Sequence, residues 1–187
     1  MGGKNAHYHD VFTRVHFTTI RWLSVKIAVM EYLWSPWRMK YVQGDVDPIE
    51  CVFCHELSEV DGEESLIIYR GSTSFVLMNR YPYTTGHLMV VPFSHTASLE
   101  LLDCNTRAEM IELTSHAMEV LNKIYRPNGF NVGANIGSAA GAGVAGHVHI
   151  HVVARWVGDT NFMSTLGETR VLPEELKITF ERICSAW

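Results

Sequence analysis

Three histidines alternate with β-branched residues in the run Gly146-His147-Val148-His149-Ile150-His151-Val152-Val153. A period of two is a strand pattern, with His147, His149 and His151 on one face and Val148, Ile150 and Val152 on the other. At a rise of ~3.3 Å per residue the imidazoles lie roughly 6.6 Å apart along a rigid element, which suits a site that holds one reacting atom fixed. A core strand with satisfied histidines is the plainer reading. Three on one face and none on the other argue against it. Immediately upstream, residues 137–146 are all Gly, Ala, Ser or Val, so backbone N–H groups there can approach an anionic ligand closely. Neutral imidazole attacks phosphorus and leaves it readily. A nucleophile on the strand and N–H donors on the loop before it would therefore grip one phosphoryl group, with His149, the central histidine, best placed as the nucleophile.

A second constellation is Cys51-Val52-Phe53-Cys54. Two thiols three residues apart, in a chain with no secretory signal, favour a metal pair over a disulfide, although buried thiols are the simpler alternative. Cys104 and Cys184 read as ordinary small hydrophobes.

The elements that must position these groups follow from apolar periodicity. Strands are expected at 66–70, 75–79 and 87–92, separated by Gly71-Ser72 and by residues 81–86, which implies an antiparallel meander. Thr106 and Glu109 have capping-box spacing, and Met110, Leu113, Ala117, Leu121 and Ile124 recur at helical intervals until Pro127-Asn128-Gly129. A further strand is expected at 130–136, and a C-terminal helix opened by Pro173-Glu174-Glu175 with Pro173 near its first position. Residues 33–41 carry two tryptophans and a tyrosine around Pro36 and read as a turn and helix start; residues 56–64 are acidic and read as a solvated turn.

With 15 Lys and Arg against 20 Asp and Glu, the net charge of −5 gives no footprint for duplex nucleic acid. Residues 1–29 carry +3 and residues 30–187 the remaining −8, so phosphate binding on this acidic body must come from backbone N–H groups and a few local cations. At 187 residues the chain is expected to form one core at 30–187, preceded by an N-terminal extension at 1–29, with Met30 a candidate natural start. No apolar run approaches the ~20 residues of a membrane span, and a soluble cytoplasmic protein is expected.

The run from His147 to Val153 resembles the signature of the histidine triad (HIT) family. Phe75-Val76-Leu77-Met78-Asn79-Arg80, followed by Gly86-His87, is similar to that family's nucleotide-side strands. Residues 33–41, 158–163 and 171–173 resemble a bacterial branch of diadenosine tetraphosphate phosphorylases and nucleotide adenylyltransferases. The resemblance covers about residues 31–181. It implies an α+β fold with a five-stranded antiparallel sheet, one long helix and a C-terminal helix, in a homodimer whose sheets join. It also implies hydrolysis or transfer of a nucleoside monophosphate. His149 would become nucleotidylated at the α-phosphate, with water or inorganic phosphate as acceptor. His151 would contact the phosphoryl oxygens and help protonate the leaving group. Asn79 would hold ribose and base, Asn135 and Gly137 would lie beside the phosphates, and His87 divides evenly between site and packing roles. Four residues before the first triad histidine, relatives carry Gln or Ser, whereas this chain has Gly143, so only backbone contacts remain for the phosphate there.

The same resemblance extends to the metal. Cys51, Cys54, His95 and His147 would complete a tetrahedral zinc site without an open position, similar to that of galactose-1-phosphate uridylyltransferase, and its role would be structural. His55 is a less well supported ligand. Two other functions stay open at this stage. One is a zinc-dependent hydrolase whose three triad histidines share one ion; the other is a nucleotide-binding sensor with little turnover.

Overall fold

In the computed structural model, residues 51–159 and 172–187 are described. The expected extension at 1–29, the start at Met30, the aromatic cluster at 33–41 and most of the 158–163 segment lie outside them.

Alternating apolar residues fold back as three antiparallel strands, β1 (Ile67–Arg70), β2 (Ser74–Met78) and β3 (Leu88–Pro92). The expected meander forms, with boundaries shifted by one residue. Both faces of β2 and β3 are covered. Val76, Met78, Leu88 and Val90 enter one hydrophobic cluster, and Phe75, Leu77, Met89 and Val91 enter another. Strands β4 (Gly129–Gly133) and β5 (Ile150–Arg155) complete a five-stranded antiparallel sheet in the order β1-β2-β3-β5-β4. The later strand therefore sits inside the sheet and the earlier one at its edge.

Two strand boundaries differ from expectation. Strand β4 stops at Gly133, three residues early. Strand β5 begins only at Ile150, so His147 and His149 lie just ahead of the ladder. The cause is a change of partner: β3 ends at Pro92, and the next link is Val148 N–H to the Thr96 carbonyl at 2.7 Å. Alternation survives the change, because Val148, Ile150 and Val152 all enter the helix-side cluster.

Among the described residues, three helices flank the sheet: α1 (Val52–Ser58), α2 (Cys104–Tyr125) and α3 (Leu176–Ala186). Helix α2 packs Met110, Leu113, Ala117, Val120 and Leu121 into the cluster that also receives Ile183 of α3. Its N-cap is Asp103, which accepts from the N–H groups of Asn105 and Thr106. The expected capping box does not form. Glu109 instead accepts from the N–H groups of Ser72 and Thr73, each at 2.7 Å, and so staples the β1–β2 turn to the helix. Arg126, in the left-handed region at φ 48°, ends α2 ahead of Pro127. Helix α3 begins at Leu176, later than expected, and Pro173 lies in the turn before it. Its approach is fixed by Glu174, which accepts from Thr179 at 2.8 Å and from Tyr125. Cys104 and Cys184 are exposed, not packed as small hydrophobes. The result is an α+β fold with one long helix.

Candidate active site and metal centre

The face of the sheet opposite α2 carries the histidines. His149 is buried at 4% exposure, with the Phe53 ring of α1 at 4.8 Å between centroids. Its Nδ1 lies 2.9 Å from the His147 carbonyl oxygen. A carbonyl only accepts, so Nδ1 carries the proton and Nε2 keeps its lone pair. Burial pushes the His149 pKa down, partly offset by that hydrogen bond, so the ring is neutral at neutral pH.

His147 has the opposite tautomer. Its Nε2–H donates to the Pro92 carbonyl at 2.9 Å, leaving Nδ1 bare. That bare nitrogen is 3.3 Å from Cys51 Sγ and 3.7 Å from Cys54 Sγ, and His95 Nδ1 is 3.3 Å from Cys54 Sγ. One ligand atom from each of Cys51, Cys54, His95 and His147 lies within 4.8 Å of every other. Tetrahedral zinc with these donor types needs ligand separations of about 3.3–3.8 Å; the separations of 3.3, 3.3 and 3.7 Å lie in that range, and a fourfold set of thiols and imidazoles gathered within 4.8 Å could hold a metal ion. Cys51 caps α1 and Cys54 lies one turn into it, which is how a short helix presents two thiols to one point.

His151 belongs to a third arrangement. The Tyr83 N–H donates to His87 Nδ1 at 3.1 Å, so the proton of neutral His87 is on Nε2, and it is 2.9 Å from His151 Nδ1. His151 then carries its own proton on Nε2. Burial, with the neighbouring His149 adding to it, pushes the His151 pKa down to about 4. The His149 and His151 rings meet edge to face at 4.7 Å. The site therefore offers a bare imidazole nitrogen beside an imidazole N–H donor, which is what attack on phosphorus with support of a departing oxygen requires.

Residues 61–157 match the family model described as HIT domain. The chain belongs to the HIT family. A protein from Mycobacterium tuberculosis (strain H37Rv) named AP-4-A phosphorylase is 36% identical over 167 residues, spanning 84% of this chain and 85% of its own length. A bis(5'-nucleosyl)-tetraphosphatase (asymmetrical) from Schizosaccharomyces pombe is 27% identical over 95 residues, 51% of this chain and 52% of that protein. Among solved structures, a Zn-bound histidine triad family protein from Mycobacterium smegmatis superposes with a TM-score of 0.59 at 26% identity, covering 74% of this chain and 93% of that one. This HIT protein is a nucleotide-processing enzyme of that family.

The remaining residues singled out from the sequence are distributed around the HIT site. His87 is fully buried against His151. The Asn79 side-chain oxygen accepts from Tyr81 N–H at 2.9 Å, and its own N–H donates to the His87 carbonyl at 2.9 Å, so Asn79 closes the neck of the 80–86 loop. Gly86 in that loop has φ +75°, and a Cβ there would meet Leu121 Cδ2 at 2.8 Å; only glycine fits. Strand β4 pairs Gly133 with His151, and Asn135 lies two residues beyond the end of that strand. Gly137, at φ +81°, starts the short 3₁₀ turn Ser138–Ala140. Gly143 is exposed; among the described residues, no backbone carbonyl accepts from its N–H. His55 is exposed and pairs with Glu59, away from the four-ligand group. Sequence reasoning missed two aromatic residues. Phe53 packs on His147 and His149, and Tyr83 packs on His87 and His151. The signal for Phe53 was its place between the two cysteines; that for Tyr83 was its spacing of four from His87.

Proposed function

We propose that this HIT enzyme cleaves a dinucleoside polyphosphate, or a related nucleotide, at the α-phosphate through a covalent nucleotidyl-His149 intermediate. His149 Nε2 attacks the α-phosphorus, the bond from phosphorus to the leaving phosphate oxygen breaks, and the bonding pair departs on that oxygen. His151 Nε2–H stabilises the arriving charge by hydrogen bonding. An acceptor oxygen then attacks the same phosphorus from water or inorganic phosphate, and the pair of the P–N bond returns to Nε2. Asn79, Asn135, Gly137 and Gly143 are proposed to line the nucleotide and its phosphates, the glycines through backbone N–H groups.

The observation that carries this reading is the division of labour between adjacent histidines. Both nitrogens of His147 are committed, to Pro92 and to the cysteine side, while His149 keeps Nε2 bare. That division favours a nucleophile over a single ion shared by all three histidines. The likeness to AP-4-A phosphorylase favours phosphate as acceptor. Incubation with diadenosine tetraphosphate tests it. ADP plus ATP formed only with phosphate present supports the phosphorylase; AMP plus ATP means a hydrolase. Protein denatured and kept at alkaline pH, where a P–N bond survives, should carry a nucleotide on His149, and its absence together with binding but no product would mean a sensor.

Zinc is the proposed ion at Cys51, Cys54, His95 and His147. When bound it supplies a structural brace. The residues do the positioning: Cys51 and Cys54 hold α1, and Phe53 between them presses on the His149 ring. A homodimer whose sheets join is also proposed, supported by the exposed edge strand β4 with Val132 outward. Sedimentation should give twice the chain mass.

A further inference from the structure

Tyr83 is the residue that neither the triad nor the metal centre accounts for. Its loop is held at three points. Asn79 N–H donates to the His87 carbonyl, His87 N–H to the Thr84 carbonyl, and Thr84 Oγ1 donates to the Ala154 carbonyl of β5 at 2.9 Å. The tie to Ala154 lands on the same strand as His151, three residues away. Held there, the Tyr83 ring lies 4.6 Å from the His87 ring, and 6.0 Å from His151 in a near-parallel stack of 26°. Its backbone N–H sets the His87 tautomer, and its ring covers both imidazoles. At 37% exposure, the side chain also forms part of the boundary between that pair and solvent.

We propose that Tyr83 is a positioning residue that holds His151 as the Nε2–H donor, by covering the His87–His151 hydrogen bond and fixing the plane of both rings. Any residue but proline supplies the N–H, so the side chain's contribution is the flat face. Without it, water reaches the His87–His151 bond and competes for His151 Nδ1, the second tautomer becomes accessible, and the ring is free to rotate. The inference rests on the reading of His151 as the donor to the leaving oxygen.

The test uses the full chain with its metal. In the imidazole ¹H–¹⁵N spectrum, wild type and Tyr83→Phe should show His151 as a single Nε2–H tautomer with a slowly exchanging His87 proton. Tyr83→Ala should show mixed tautomers and fast exchange, with Tyr83→Leu intermediate. On diadenosine tetraphosphate, Tyr83→Ala should lower kcat about tenfold with KM within about twofold, and Tyr83→Phe should restore kcat. Unchanged tautomers in both Tyr83→Ala and Tyr83→Leu would overturn the proposal. His151→Asn separates the two readings. If it is impaired while Tyr83→Ala turns over normally, Tyr83 alone has been misread; if His151→Asn is itself fully active, the donor role of His151 fails and this inference falls with it.

Discussion

At His149 a carbonyl two residues upstream accepts from Nδ1–H, and at His151 a buried His87 donates to Nδ1. These two contacts assign opposite roles to chemically identical side chains. Replacing His87 with Phe keeps the bulk and removes the donor. We expect kcat on diadenosine tetraphosphate to fall roughly 10- to 100-fold with little change in KM, and an unaltered kcat would show that His151 needs no partner. The pKa directions make a second prediction. His151 is held at about 4 and His149 is also lowered, both chiefly by burial, against about 6.5 in an unfolded chain. Between those values the unfolded chain binds more protons, so the stability these rings contribute is present above about pH 6.5 and is lost as pH falls toward 4. Activity should therefore stay level from pH 8 down through 6.5 and decline only below it; a kcat half-point at or above 6.5 would contradict neutral, buried imidazoles.

Among the elements, α2 does more than cover the sheet. Its Leu121 touches the Gly86 position beside His87, and its Glu109 accepts from the turn between β1 and β2. Glu109→Ala leaves two backbone N–H groups without their carboxylate and should cost about 1–2 kcal/mol, read as a lower urea midpoint at unchanged slope. Glu109→Gln should recover part of it. The turn after β3, paired with the residues just ahead of β5, forms the other working element. Pro92 ends β3 and Thr96 takes over pairing with Val148, which brings His95 round to the cysteines and leaves the His147 carbonyl turned toward its neighbour's ring.

For the whole molecule, the proposed metal centre links α1 to the start of the histidine run across a sequence separation of more than ninety residues. Chelation should lower the thermal midpoint by roughly 5–10 °C, the shift expected for a ligand present at about a hundred times its Kd. Activity should fall with it and return on adding zinc. Loss of activity at an unmoved midpoint would point instead to an ion that takes part in the chemistry. Cys51→Ser should mimic the chelated protein.

Residue type and spacing alone carried the strands at 67–92, the long helix and the placing of Cys51 and Cys54 toward one point. Each depends on local period or on donor chemistry that a sequence displays directly. Tertiary contacts decided the rest. Thr106 and Glu109 had the spacing of a capping box, yet Asp103 caps the helix, because the neighbouring turn offers Glu109 two N–H groups that no local pattern reveals. The three histidines looked like equals on one strand. They became distinct only when Pro92, the His147 carbonyl and His87 each met one imidazole nitrogen. A proton's location on a ring depends on what lies within hydrogen-bonding distance, and the partners of His147 and His151 come from residues more than fifty positions away.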